Sequence, residues 1–268
     1  KTLREAGLTH VRLPIDPGKL FGSEAGVLNV PTMARLENAL DVLNGAGLAV
    51  VVEPHPGGSR SDELYGAKLH DASDAESVRL VDAFAKNWDA LAKRLSTLDP
   101  ELVFLEIMNE PVFDKRTERW LEIQQIVAKA IRDAAPKHTI IATGNGYSSI
   151  DGLKTVKPLE DANVVYTFHF YEPHTFTHQT ATWGAPNWKF LKDLPYPSTP
   201  ELLAPVAAKI ENERARGEAK WYGDQRWNAA KVEAKVAEAA AWAKANDATV
   251  WCGEFGAYRQ SPSESRVR

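Results

Sequence analysis

Two glutamates stand where short apolar runs give way to polar residues. The first closes the run Phe104-Leu105-Glu106-Ile107-Met108-Asn109-Glu110-Pro111. Proline cannot donate to a strand ladder and opens a loop, so Glu110 is expected at the mouth of a strand with the amide of Asn109 beside it. The second lies in Val250-Trp251-Cys252-Gly253-Glu254-Phe255-Gly256, where flanking glycines let backbone or ligand approach closely. Either carboxylate alone reads as a loop cap or a solvated side chain. Taken together they supply one proton donor and one anion, the pair that acetal hydrolysis needs, and an amide such as Asn109 suits donation to a sugar hydroxyl.

Such side chains need a frame that brings distant strand ends together. Short apolar and β-branched runs recur at His10–Ile15, Leu48–Val52, Leu102–Met108, Thr139–Thr143, Asn163–Phe168 and Thr249–Cys252, each long enough only for a buried strand. Between them the period turns helical. Met33–Asn44 puts Leu36, Leu40 and Leu43 on one stripe and stops at Gly45 and Gly47. Ser73 and Glu76 have the spacing of a capping box, after which Leu80, Val81, Phe84, Trp88, Leu91 and Leu95 repeat at three and four. Thr117–Ala134 and the alanine-rich Trp227–Ala245 follow the same rule.

Alternating strands and helices require a parallel sheet covered by helices, either as a closed barrel or as an open doubly wound sheet. No glycine-rich phosphate loop follows any strand, which removes the main support for a nucleotide-binding open sheet. Polar residues gather after the strand ends instead: His55, Asn109 with Glu110, His169 with Tyr171, and Glu254. In a parallel barrel those ends share one rim. A long stretch from Glu172 to Gly223 carries Trp183, Trp188 and Trp221 and is expected to hold at most one helix, near Pro200–Arg216. Its tryptophans fit sugar-stacking platforms and core packing equally well.

Composition narrows the classes further. With 268 residues, 44% hydrophobic and 25% charged, the chain is expected to form a single globular domain over 1–268. A net charge of -4, spread without blocks of like sign, offers no basic face for nucleic acid and no polybasic membrane patch. No stretch approaches the roughly 20 apolar residues of a membrane span, and Lys1–His10 lacks the apolar run of a signal peptide. The lone cysteine, Cys252, excludes an internal disulfide and a multi-cysteine metal site while leaving the compartment open.

The sequence resembles the glycoside hydrolase family 5 cellulase-like enzymes, a branch of the (β/α)8 retaining glycosidases. The likeness runs in order through His10-Val11-Arg12-Leu13-Pro14, Glu53-Pro54-His55, Asn109-Glu110-Pro111, His169-Phe170-Tyr171 and Gly253-Glu254-Phe255-Gly256. It implies a TIM barrel, and an endo-type hydrolase acting on a β-linked oligo- or polysaccharide by double displacement, without metal or cofactor. Glu254 matches the nucleophile, Arg12 the cation that keeps its pKa low, and Tyr171 the hydroxyl that holds it. Glu110 matches the acid/base and Asn109 the amide on the sugar 2-hydroxyl. His55 and His169 resemble rim histidines that bind substrate or orient the carboxylates. Trp183 joins the substrate-binding set as a stacking platform. Retention predicts carboxyl groups about 5 Å apart.

Against the family's eight strands, the chain starts inside what looks like the first helix, Lys1–Gly7, and stops soon after the strand bearing Glu254. The first and last strands are expected to be missing, together with a tryptophan that floors the subsite beside the nucleophile. A fragment of this kind is expected to be less stable and less active than a longer parent, through its exposed strand edges. The likeness also implies export to the periplasm or medium, and a monomer when full length. Two other readings compete. His169, His174 and His178 with Glu172 contain metal-ligand types, although neither His-x-His on the first strand nor His-Glu-x-x-His on a helix occurs. A non-catalytic sugar-binding barrel is the other, and the presence of both glutamates weighs against it.

Overall fold

The computed structural model describes residues 2–56, 69, 74–113 and 116–267. Six strands form one sheet in sequence order: β1 (His10–Ile15), β2 (Ala49–Pro54), β3 (Val103–Glu106), β4 (Ile140–Thr143), β5 (Val164–Phe170) and β6 (Thr249–Phe255). Pairing from β1 through β5 is parallel, with Arg12 opposite Val51, Val52 opposite Leu105, Glu106 opposite Ile141 and Thr143 opposite Thr167. A parallel sheet whose neighbours are also consecutive in the chain is the (β/α)8 arrangement. All the apolar runs predicted as strands are strands, with ends displaced by a few residues.

The longer helices among the described residues are α1 (Val30–Gly45), α2 (Asp74–Leu95), α3 (Thr117–Ala134), α4 (Pro200–Ala207), α5 (Glu213–Asp224) and α6 (Ala229–Ala245). Helix α1 begins earlier than the periodic pattern because the Asn29 side chain accepts from Thr32 N at 3.0 Å, and a proline fits the first turn. In α2 the predicted stripe of Leu80, Val81, Phe84, Trp88, Leu91 and Leu95 is buried throughout. Each such side chain contributes about 1.5–3 kcal/mol by leaving water. Ser73, the proposed cap of this helix, lies outside the described residues.

The stretch after β5 corrects the sequence expectation. In place of one helix over 200–216 there are two, because Asn212 caps α5 by accepting from Ala215 N at 3.0 Å, and Ile210 O is taken by the Arg216 guanidinium at 3.0 Å. An asparagine side chain competes with helix backbone for its N–H groups, which makes it a better cap than interior residue. The two helices share a core with Phe176, Leu194, Leu203, Tyr222 and Trp227. Gly223 lets them approach, since a Cβ there would sit 3.0 Å from the Leu203 Cβ.

By proximity the chain divides into two compact units. The first comprises Lys1–Phe168 and Ala243–Trp251, and the second His169–Trp242 and Cys252–Arg268.

Candidate active site

In the first unit, residues within and just after β1, β2 and β3 build one polar cluster. Arg12 grips Glu106 with both arms of its guanidinium, Nε to Oε2 at 2.8 Å and Nη2 to Oε1 at 2.7 Å. The same Nη2 donates to Asn109 Oδ1 at 3.0 Å, and Nη1 lies 3.4 Å from Glu53 Oε2. Both carboxylates are fully buried. The bidentate grip on Glu106 is the strong form of an arginine–carboxylate pair, and it offsets the cost of taking that side chain out of water.

The cluster continues through His55, whose Nδ1 lies 3.2 Å from Glu53 Oε2 and whose Nε2 lies 3.4 Å from Asn109 Nδ2. Because the Asn109 carbonyl already accepts from Arg12, its NH2 faces His55. A neutral imidazole with its proton on Nδ1 then satisfies both contacts, donating to Glu53 and accepting from Asn109. The Asn109 amide is therefore fixed from two sides.

Glu110 follows directly and is half-buried. Its backbone is left-handed, φ +40°, a region that costs a non-glycine residue about 1–3 kcal/mol and gathers at functional positions. The loop beyond it is tied down: Asn145 Oδ1 accepts from Phe113 N at 2.7 Å, and its Nδ2 donates to Phe113 O at 3.2 Å. Tyr147 N also donates to Pro111 O at 3.2 Å, from a segment in which Gly146, Tyr147 and Ser148 all have positive φ. From the helices, Trp88 Nε1 donates to Ile107 O at 2.9 Å and Trp120 Nε1 to Thr143 O at 2.8 Å, so buried indoles fix the carbonyls just ahead of these loops.

In the second unit, Tyr171 Oη donates to Glu254 Oε2 at 2.9 Å, and His169 Nδ1 lies 3.5 Å from the same oxygen. An O–H donated to a carboxylate favours its ionised form. Thr177 Oγ1 donates to Tyr171 O at 2.6 Å and meets His178 Nδ1 at 3.0 Å, while the His178 ring stands edge-on to Tyr171 with centroids 5.4 Å apart. Beside Glu254, burial pushes the Cys252 thiol up to about 11. His174 and His178 stack on each other, centroids 5.4 Å apart, and His178 packs on Trp188 at 4.6 Å. Their ring faces meet, an arrangement built for packing.

A family model described as cellulase, glycosyl hydrolase family 5, matches residues 1–267. The chain belongs to this family. It is therefore a glycoside hydrolase. Among family 5 relatives, endoglucanase C of Acetivibrio thermocellus is 27% identical over 271 residues, covering 100% of this chain and 76% of that protein. Cellodextrinase A of Ruminococcus flavefaciens is 26% identical over 96% of this chain and 67% of its own length. The endoglucanase from the hyperthermophilic Thermotoga maritima matches in structure with a TM-score of 0.74 and 25% identity, over 99% of this chain and 73% of that one.

Within the family 5 framework, Arg12, His55, Asn109 and Glu110 lie in the first unit, and His169, Tyr171, Trp183 and Glu254 in the second. Sequence reasoning passed over Glu53 and Glu106. A signal was present, because a glutamate inside an otherwise apolar strand is a charge that must find a partner. It weighed His178 only as a metal ligand and missed Thr177, both of which stand behind Tyr171. Trp183 and Trp221 are exposed, whereas Trp188 packs against the core of the second unit.

Proposed function

We propose that this family 5 glycoside hydrolase is an endo-acting β-glucanase that cuts with retention, using Glu254 as nucleophile and Glu110 as acid/base. The observation that carries the reading is the Tyr171 hydroxyl donated to Glu254, which suits an ionised carboxylate ready to attack. The relatives named endoglucanase and cellodextrinase support a β-linked glucan as substrate.

In the first half of the reaction Glu110 protonates the leaving glycosidic oxygen while the Glu254 carboxylate forms a bond to the anomeric carbon. In the second, Glu110 takes a proton from water, and that water breaks the glycosyl ester and frees Glu254. Asn109, held by Arg12 and His55, is assigned to the 2-hydroxyl of the reacting sugar. Its fixed orientation means the hydrogen bond is made without reordering the site. His169 orients the Glu254 carboxylate. Export from the cell and action as a monomer belong to the same reading.

The test is hydrolysis of carboxymethyl cellulose, mixed-linkage β-glucan and mannan by the wild type, Glu110→Gln and Glu254→Gln. The wild type should lower the viscosity of a β-glucan faster than it releases reducing ends. Glu110→Gln should lose about a hundredfold to ten-thousandfold in kcat and Glu254→Gln at least as much, with oligosaccharide binding retained in both. Turnover unchanged in either variant would remove the assigned roles, and binding without turnover by the wild type would favour a non-catalytic sugar-binding barrel.

A further inference from the structure

The connection from β5 to β6 carries α4, α5 and α6, where the alternation of strand and helix calls for one helix. Helix α5 turns Ala215, Ala219 and Tyr222 inward, and all three are buried. Glu218 lies three residues after Ala215 and four before Tyr222, so it shares that stripe. A glutamate on the covered side of a helix needs donors for its oxygens. Oε1 accepts from the Thr175 hydroxyl at 3.0 Å, and Oε2 accepts from the Asn187 side-chain amide. Thr175 and Asn187 are both buried, so neither donor can turn to water instead.

Thr175 belongs to the single helical turn His174–Thr177, which backs Tyr171 through the hydrogen bond from Thr177 Oγ1 to Tyr171 O. The segment after Glu254 holds the same turn, since Tyr258 N donates to Thr177 O at 2.7 Å and Ser261 Oγ to Phe176 O at 3.1 Å. The Tyr171 hydroxyl on Glu254 closes this ring of contacts. The turn is therefore the spacer between the backbone of Tyr171 and the segment that carries Glu254, and Glu218 fixes its remaining side. Asn187, on the other carboxylate oxygen, directly precedes Trp188, whose carbonyl accepts from Thr180 N at 2.9 Å and whose ring packs on His178. One carboxylate thus ties both ends of the stretch 175–187. Hydrogen bonds weaken steeply once misaligned, so a turn free to shift would loosen the donation from Tyr171 to Glu254.

We infer that Glu218 is a positioning residue for the nucleophile: by clamping the turn behind Tyr171 through Thr175, it holds the Tyr171 hydroxyl on Glu254. The inference rests on the reading of Glu254 as the nucleophile and adds to it a residue from a helix outside the strand–helix alternation. Glu218 acts through Thr175, Thr177 and Tyr171. His169 Nδ1 faces the same Glu254 oxygen at 3.5 Å, and it stays unaltered in every variant of the test.

The pH dependence of kcat/KM for cellotetraose tests it, because the acid limb reports ionisation of the nucleophile in the free enzyme. Tyr171→Phe removes a donor to the carboxylate and should move that limb to higher pH by about one unit. Glu218→Ala and Thr175→Val should move it the same way by about half as much, and Tyr171→Phe combined with Glu218→Ala no further than Tyr171→Phe alone. Glu218→Gln should keep the wild-type limb, since its carbonyl still accepts from Asn187 and its NH2 can donate to the Thr175 oxygen. Thr175→Val nearly keeps the side-chain volume and decides the matter should Glu218→Ala fail to fold. A lowered melting temperature with an unmoved acid limb would make Glu218 a structural residue only and overturn the inference. Shifts that add in the double variant, or a Glu218→Gln shift equal to that of Glu218→Ala, would overturn it as well. If Tyr171→Phe moves the limb and neither Glu218→Ala nor Thr175→Val does, the nucleophile reading stands without the clamp. If Tyr171→Phe leaves the limb in place, or the wild type does not cleave cellotetraose, both fall.

Discussion

Arg12 answers for two buried carboxylates at once, and that fixes what its removal does. Arg12→Leu leaves Glu53 and Glu106 without their cation, and an uncompensated buried charge costs about 3–5 kcal/mol. Urea unfolding should therefore show a large fall in midpoint, and Asn109, having lost the donor to its carbonyl, should no longer hold one orientation. A loss below about 1 kcal/mol would mean that the ion cluster is not what secures these strand ends. Cys252 gives a second test. Its thiol pKa is raised to about 11 from an ordinary 9.0, chiefly by burial, so at pH 8 it should react with a disulfide reagent about a hundredfold more slowly than an exposed cysteine. Linkage gives the matching stability change. Between about pH 9 and pH 11 the unfolded thiol has lost its proton and the folded one has kept it, so the stability from burying the neutral thiol is complete below pH 9 and declines as pH rises towards 11. Cys252→Ala should flatten that part of a stability profile. At this scale the sequence was readable where a residue sits at a strand end. It was less readable where partners come from other strands, so Arg12 could be picked out while its grip on Glu106, far away in the chain, could not.

At the level of elements, periodicity told strands from helices because burial on one face imposes the pattern directly. The stripe of α2 is the clearest instance. What periodicity does not convey is that two of the buried aromatics also carry hydrogen bonds. Trp88 and Trp120 look like core residues and are, yet each indole N–H occupies a carbonyl at the end of a strand, Ile107 O or Thr143 O. The other half of Thr143 is held by Gln124, whose Oε1 accepts from its N–H at 2.8 Å. Trp88→Phe removes a donor and leaves Ile107 O unpaired, for which about 1–3 kcal/mol of stability should be lost, plus a cavity contribution. Thermal melts of Trp88→Phe and Trp120→Phe measure this, and kcat should fall more in the first, since Ile107 leads into Asn109 and Glu110. The division of the expected helix into α4 and α5 was hidden for another reason. Asn212 is a tolerable interior residue by propensity and a good cap by geometry, and only the packed neighbours decide between them.

For the molecule as a whole, the alternation of strand and helix identified a parallel sheet covered by helices, and the family likeness narrowed it to the (β/α)8 class. The glycosidase class was legible for a narrower reason: acetal hydrolysis calls for a pair of carboxyl groups, and the chain places one glutamate just beyond β3 and another within β6. The trap for a chain of this class is to treat every exposed tryptophan as part of the site. Trp183 lines a pocket together with Tyr171, whereas Trp221 is an exposed residue of α5, and nothing in the sequence separates them. Stereochemistry is the most direct test of the central claim. Proton NMR during early hydrolysis of a cello-oligosaccharide should show the β anomer of the new reducing end appearing first, and mutarotating afterwards. First appearance of the α anomer would contradict the assignment of Glu254 as a nucleophile and require one glutamate to activate water while the other protonates the leaving oxygen.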